Sequence, residues 1–296
     1  MKEEKICGID WNGAMAPEGK IQSEGSPSPI GVMTAMKNEG IGISCITAGP
    51  ADRIRRLGYE ELLGKNPQYC ENGGIIWQPD TDTITIARPF GEDGVELLNS
   101  ILAEEEIPDR ITLFANNPLS DKPNGEIFIF GTAHIARAKE VAHGRSLTVI
   151  GDYDVFRSLI KTNSVGVMAF SDKQLQSAIP KSLKNKQKTN CWETTIAPKG
   201  LTKVRVMETA EIPVFVDNQA HHLSQEVNQE GKVIKVGVLN PTPIRFATTE
   251  TDKLIWTEND RRMEELLERG QIKHLFQSRR NLVEEMSVLR ELLDQI

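Results

Sequence analysis

The stretch Lys5-Ile6-Cys7-Gly8-Ile9-Asp10-Trp11-Asn12-Gly13-Ala14 decides how the rest of the chain reads. Lys5–Ile9 is a short, largely apolar run that predicts a buried strand, and it stops on a carboxylate, Asp10. The same grammar returns twice. Ile41–Ile46 is an apolar run that stops on Thr47, and Pro213–Val216 is one that stops on Asp217. In an open parallel sheet, ligands bind at the carboxyl ends of the strands, so side chains there share one crevice however distant in sequence.

Between these runs the chain alternates short strands with longer helical stretches, the pattern of a parallel sheet covered by helices. Ser28-Pro29 supplies an N-cap and a first-turn proline for a helix to about Asn38, closed by Glu39-Gly40. A helix is expected over Ala51–Leu63 and a third strand over Gly73–Trp77. After Gln78-Pro79 the pattern changes. Thr83–Ala87, Arg110–Ala115, Glu126–Phe130, Leu147–Ile150 and Val165–Phe170 read as strands, with helices over Ala133–His143, Val155–Lys161 and Lys173–Leu183. Lys181, Lys184, Lys186 and Lys188 mark a solvated basic loop.

Strand–helix alternation then resumes. Trp192–Ile196, Pro213–Val216 and Val233–Leu239 are expected strands, and Leu201–Glu208 and Ala220–Gln229 helices. The tail from Asn259 is read as helical, with a seam of Leu282, Met286, Leu289, Leu293 and Ile296. The seam spans barely two heptads, so it either packs on the body or forms a homodimer. The fold expectation is α/β: a Rossmann-like parallel core from 1–79 and 190–296, with an α/β unit, 80–189, inserted as a cap.

Composition narrows the function classes. The chain has 296 residues, with 42 acids against 35 Lys plus Arg and a net charge of −7. That balance lacks the basic surplus of a nucleic-acid binder, and 5% aromatics leave few stacking platforms. No apolar run approaches the roughly 18 residues of a membrane span. The start, Met1 to Trp11, carries no signal-peptide pattern. The four cysteines, Cys7, Cys45, Cys70 and Cys191, stand singly and read as reduced core residues, so a cytoplasmic protein is expected.

Asp10 and Asp217 with the hydroxyl of Thr47 in one crevice suit a hard cation and a phosphate, because Mg²⁺ takes a few carboxylates plus substrate oxygens. Lys203, on the turn that opens a helix, would add positive charge.

These residues resemble the haloacid-dehalogenase-like (HAD) superfamily. Asp10-Trp11-Asn12-Gly13-Ala14 is similar to its first motif, D-x-D-G-T, and the run ending Thr47-Ala48-Gly49 to its second. Glu71-Asn72-Gly73-Gly74 resembles the E/S-N-G-A stretch of the sugar-phosphatase branch. Ala197-Pro198-Lys199-Gly200-Leu201-Thr202-Lys203 resembles the third motif, with Lys203 as its lysine, and Val214–Leu223 the fourth. Val236 to Pro241 and Ile255 to Glu265 resemble the closing segment. The insert after the third strand resembles the cap of that same branch.

The resemblance implies a Mg²⁺-dependent phosphatase acting on a small phosphorylated metabolite. Asp10 would attack phosphorus, and Lys203 would offset charge. Thr47, Ala48, Gly49 and the amides around Asn12 and Gly13 would hold phosphate oxygens. Asp10, the Asn12 carbonyl, Asp217 and Asn218 would ligate the metal. Four positions depart from the pattern: Asn12 stands where the family has its acid–base aspartate, Ala14 where it has threonine, Val216 where motif four has glycine, and His221 where it has its second acid. A catalytically impaired protein that binds a phosphorylated ligand or a protein partner therefore stays beside the enzyme reading, with His221 or His222 as substitute bases. A second register is also open. Gly151-Asp152-Tyr153-Asp154, before Ser164-Val165-Gly166-Val167, spells an acidic motif too, with Lys139 as the lysine.

Overall fold

Strand β1 (Lys5–Asp10) lies in the middle of an eight-stranded sheet. The structure is a computed structural model that describes residues 5–16, 27–104, 110–122, 124–175, 183–188, 191–197, 202–225, 233–239 and 250–296. Parallel pairing sets β1 between β2 (Ile41–Ile46) and β12 (Val214–Asp217), with Ile9 opposite both Cys45 and Val216. Beyond β12 come β13 (Ile234–Val238) and β14 (His274–Phe276), also parallel. On the other side β3 (Gln68–Cys70) is parallel to β2, and β4 (Ile75–Gln78) and β5 (Thr83–Ile86) return antiparallel. The order across the sheet is β14-β13-β12-β1-β2-β3-β4-β5.

Helices cover both faces, as an apolar parallel sheet requires. On one face Cys7, Ile9 and Val216 pack with Val32, Met33 and Met36 of α1 (Pro29–Asn38). The same cluster includes Ala51 and Ile54 of α2 (Ala51–Arg55) and Leu63 of α3 (Glu60–Leu63). On the other face Ile46 and Phe215 pack with later helices: α7 (Lys203–Thr209), α8 (Ala220–Leu223) and α9 (Glu250–Glu268). The N-cap expected at Ser28 is present: its Oγ accepts from Gly31 N at 3.2 Å.

A second sheet of six strands is built between the two halves of the first. Its strands are β6 (Ile111–Asn117), β7 (Glu126–Phe130), β8 (Ser146–Val149), β9 (Val167–Ser171), β10 (Leu183–Lys188) and β11 (Cys191–Ile196). They run in the order β10-β11-β9-β6-β7-β8. α4 (Gly91–Glu104) and α6 (Tyr153–Asn163) cover one face, and α5 (Ile135–Ala142) the other.

Several sequence expectations change. β5 joins the first sheet although its residues were expected in the insert, and β11 joins the second although they were expected in the core. Both are strand–turn returns that pair with the preceding strand, which outranks a boundary drawn from composition. Lys184, Lys186 and Lys188 were expected in a loop but lie on an edge strand paired with β11. Lys181 lies outside the described residues, as do 198–201 of the lysine motif and Asn240-Pro241. The helix expected over Ala51–Leu63 divides at Gly58, whose φ of +68° cannot continue a helix. The third strand of the core is Gln68–Cys70 rather than Gly73–Trp77, and the tail contains the short strand β14 between helices.

The C-terminal seam packs on the body. Leu282 of α10 (Arg279–Glu284) and Met286, Leu289 and Leu293 of α11 (Met286–Asp294) are buried in the same cluster as β1 and α1. Four of the five seam residues are thus covered by the chain itself, and Ile296 is exposed. Among the described residues no helix is long and apolar enough to cross a membrane.

Candidate functional site

Register alone brings the acids together. One step past the Ile9–Val216 pair stand Asp10 and Asp217, and one step past the Asp10–Ile46 pair stands Thr47. Lys203, the first residue of α7, reaches between the two carboxylates. Its Nζ lies 2.7 Å from Asp10 Oδ1 and 3.3 Å from Asp217 Oδ2. Asp10, Thr47, Lys203, Asp217 and Asn218 are all buried, with Asp217 and Asn218 wholly so.

Such a group is costly unless its charges are paired. Burial pushes the Asp217 carboxyl up, but Lys203, the His222 hydrogen bond and the Gln219 amide outweigh it and hold the group below its ordinary range. Burial pushes Lys203 down, and the adjacent Asp217 and Asp10 more than reverse this. His222 Nδ1 stands 2.9 Å from Asp217 Oδ2, and Gln219 N donates to Asp217 Oδ1 at 2.8 Å. His222 is therefore held by Asp217, while His221 is exposed and lies against it, the rings tilted by 48° with centroids 3.9 Å apart.

The loop after β1 folds back on itself. Met15 N donates to Asp10 O, Ala16 N to Trp11 O and Gly13 N to Ala16 O, at 3.0, 2.7 and 2.6 Å. Gly13 has φ +95°, and a Cβ there would stand 2.0 Å from Asn218 Nδ2, so only glycine fits beneath that amide. After β2, Thr47 Oγ1 accepts from Gly49 N at 3.0 Å, and Thr47 O accepts from Asn72 N at 2.8 Å. Ala48 is exposed at the tip of this loop, and Asn12 is half-buried in the first.

The end of the Asn218 amide is 3.0 Å from Asn12 O and 3.3 Å from Asp10 Oδ2. With its nitrogen turned inward, the amide donates to both of these oxygens. Asp10, Asp217, the Asn12 carbonyl and Asn218 are the groups here that could hold a cation. The donors are carboxylate, carbonyl and amide oxygens, the hard set that Mg²⁺ prefers. Among the described residues no three His, Cys, Asp or Glu side chains form a metal cluster, because half of this donor set is amide and backbone oxygen.

Asn259 of α9 escaped the sequence reading. Its Oδ1 accepts from Ala220 N at 2.9 Å, and its Nδ2 donates to Asn218 O at 3.0 Å, which fixes the backbone after Asp217. No local signal marks it, since an asparagine in a charged helix is ordinary. The second register dissolves: Asp152 caps α6, accepting from Asp154 N and Val155 N at 2.8 and 3.1 Å, beside the edge of the second sheet. Lys139 sits on α5 in that same unit.

No family model and no curated protein matches this sequence. Solved structures share its fold. A haloacid dehalogenase-like hydrolase from Bacteroides thetaiotaomicron, 12% identical, superposes over 99% of both chains with a TM-score of 0.58. A second protein of that organism, described among phosphatases of the haloalkanoate (HAD) enzyme superfamily, is 10% identical with a TM-score of 0.59, over 97% of this chain and 95% of that one. A protein from Eubacterium rectale reaches 0.61 at 12% identity, over 96% and 98%.

Proposed function

We propose, from the haloacid-dehalogenase-like fold that this chain adopts, that it hydrolyses small phosphate monoesters slowly at the ends of β1, β2 and β12. The observation that carries this reading is the ammonium of Lys203 shared by two buried carboxylates, Asp10 and Asp217. Asp10, the Asn12 carbonyl, Asp217 and Asn218 would hold Mg²⁺. When bound, it would offset the charge of the phosphate and of the attacking carboxylate. An Asp10 oxygen attacks phosphorus, the ester oxygen departs, and water then cleaves the aspartyl phosphate to release inorganic phosphate. Lys203 stays on Asp10 and reduces the repulsion between nucleophile and substrate. The Thr47–Gly49 loop would hold phosphate oxygens. The Gly13 amide is already engaged by Ala16 O, so Gly13 serves that loop by its shape.

Asn12 makes the reaction slow. An amide cannot hand a proton to the departing oxygen, and that help is commonly worth about 10²–10⁴-fold. The second sheet acts as a cap that closes over the crevice and admits a small metabolite. Four buried, free cysteines suit a reducing compartment, for which we propose the cytoplasm.

Phosphate release from a panel of sugar, acid and nucleotide monophosphates, with and without Mg²⁺, tests the proposal. Mg²⁺-stimulated release that vanishes in Asp10→Asn and rises in Asn12→Asp is expected. Asn12 favours a second reading, a protein that binds a phosphorylated ligand without turnover. Tight binding by calorimetry with no release, even in Asn12→Asp, would replace the first reading with the second.

A further inference from the structure

We propose that the turn Glu71–Gly74 sets the Thr47–Gly49 loop according to how the second sheet sits, with Glu71 and Asn116 as the positioning residues that join them. The inference rests on the reading above that this loop holds phosphate oxygens. The backbone of the turn is bonded to the loop. Glu71 N donates to Gly49 O at 2.9 Å, and Asn72 N donates to Thr47 O at 2.8 Å. Across a trans peptide the carbonyl and the N–H point opposite ways, so holding Thr47 O on Asn72 turns the Ala48 N–H to the other side. The direction of that amide is therefore set from outside its own loop.

The same turn meets the second sheet. Glu71 Oε1 accepts from Asn116 Nδ2 of β6 at 3.2 Å. The sense of that amide is fixed, because Arg145 donates to Asn116 Oδ1 and a guanidinium has no acceptor. Ser164 Oγ donates to Asn116 O at 2.6 Å and holds the backbone behind it. Gly74 O accepts from Ala87 N and Arg88 N at 2.8 and 3.1 Å, where the chain leaves β5 for the second sheet. Glu71, Asn72 and Gly73 have φ of +50°, +56° and +90° in succession. Only the last is glycine, and other residues are uncommon in that region. Such strain persists only where the surroundings over-determine it. Here the bonds to the loop, to β6 and to residues 87 and 88 do so.

The test reads hydrogen exchange of the Glu71 and Asn72 amides by NMR and titrates inorganic phosphate in MgCl₂ by calorimetry. Both are done at pH 6, below the value of about 7 to which Glu71 is raised. Glu71→Ala and Asn116→Leu break the contact from opposite ends, so either carries the test where the other fails to fold. Each is expected to lower protection of the two amides roughly 2–10-fold, as loss of one hydrogen bond implies, and to leave the amides of β1 unchanged. Phosphate affinity is expected to fall by a similar factor. The double variant is expected to lose no more than either single, because residues that act through one contact are not additive. Glu71→Gln, which keeps an oxygen facing Asn116, is expected to match wild type in both readouts. Unchanged protection in the single variants, an equal loss across β1, losses that add in the double variant, or phosphate affinity that holds while protection falls overturns the proposal. Absence of phosphate binding in wild type overturns the phosphate reading of the loop, a result distinct from the exchange at Glu71 and Asn72.

Discussion

Lys203 is the residue on which the buried charges depend. Replacing it with methionine leaves Asp10 and Asp217 buried without their shared cation, a change that costs about 3–5 kcal/mol in comparable buried pairs. The pH dependence has a definite sign. Asp217 is held below its ordinary 3.8, so its contribution is present above that value and is lost as pH falls through the lower folded value. Lys203 is held above its ordinary 10.5, so its contribution is present below that value and is lost as pH rises through the higher folded one. Thermal unfolding of Lys203→Met should show its largest deficit between about pH 5 and 9 and a shrinking one in acid, where the carboxylates protonate. A deficit independent of pH would mean that lost packing, not charge, was removed. At this scale the sequence was informative for Asp10, Thr47 and Asp217, because each ends an apolar run. Asn259 was silent, because it acts through backbone groups of a loop 41 and 39 residues away.

Between elements, one of the contacts between the two sheets passes through a carboxyl. Asn116 of β6 donates to Glu71 Oε1 at 3.2 Å, and Arg145 in turn donates to Asn116. Burial and nearby Asp52 push Glu71 up to about 7, against the opposing effects of Asn116 and Arg145. A carboxyl raised in the folded state binds its proton more tightly there, so the protein loses stability as pH climbs from about 4.5 towards 7. Glu71→Gln should thus raise the melting temperature by a few degrees at pH 8 and leave it nearly unchanged at pH 5, read by scanning fluorimetry; about 1 kcal/mol corresponds to roughly 2–4 °C in chains of 150–250 residues. An equal shift at both pH values would show that ionisation is not the cause. Element identities were legible where apolar runs were long, as at Ile41–Ile46, and not where pairing decided. β10 reads as a basic loop, and only its partner β11 makes it a strand. β14 is three residues inside a helical tail, recruited by the exposed edge of β13.

For the molecule as a whole, the C-terminal helices are core rather than appendage. Leu282, Met286, Leu289 and Leu293 are buried against the sheet that carries Asp10, under α1. Leu289→Ala should cost about 2–5 kcal/mol, as buried leucines do, measured by urea unfolding. A loss below about 0.5 kcal/mol, the range of surface substitutions, would show that α11 lies loosely on the body. Four such side chains at roughly 1.5–3 kcal/mol each rival the whole stability of a domain, about 5–15 kcal/mol. Ending the chain before α10 should therefore unfold it, which circular dichroism would register as a lost cooperative transition.

By itself the sequence determined the strand-end chemistry and the α/β class, because a parallel strand must be apolar along its length and can turn polar only where it leaves the sheet. It also puts an amide, Asn12, at the position where the resemblance implies an acid. Tertiary structure decided the rest. It chose Asp217 over Asp152, because only β12 lies beside β1. It set β5 and β11 in their sheets and brought Asn218 and Asn259 onto the site. These choices depend on which strands and loops become neighbours in space, and a local pattern of residues carries no record of its distant partners.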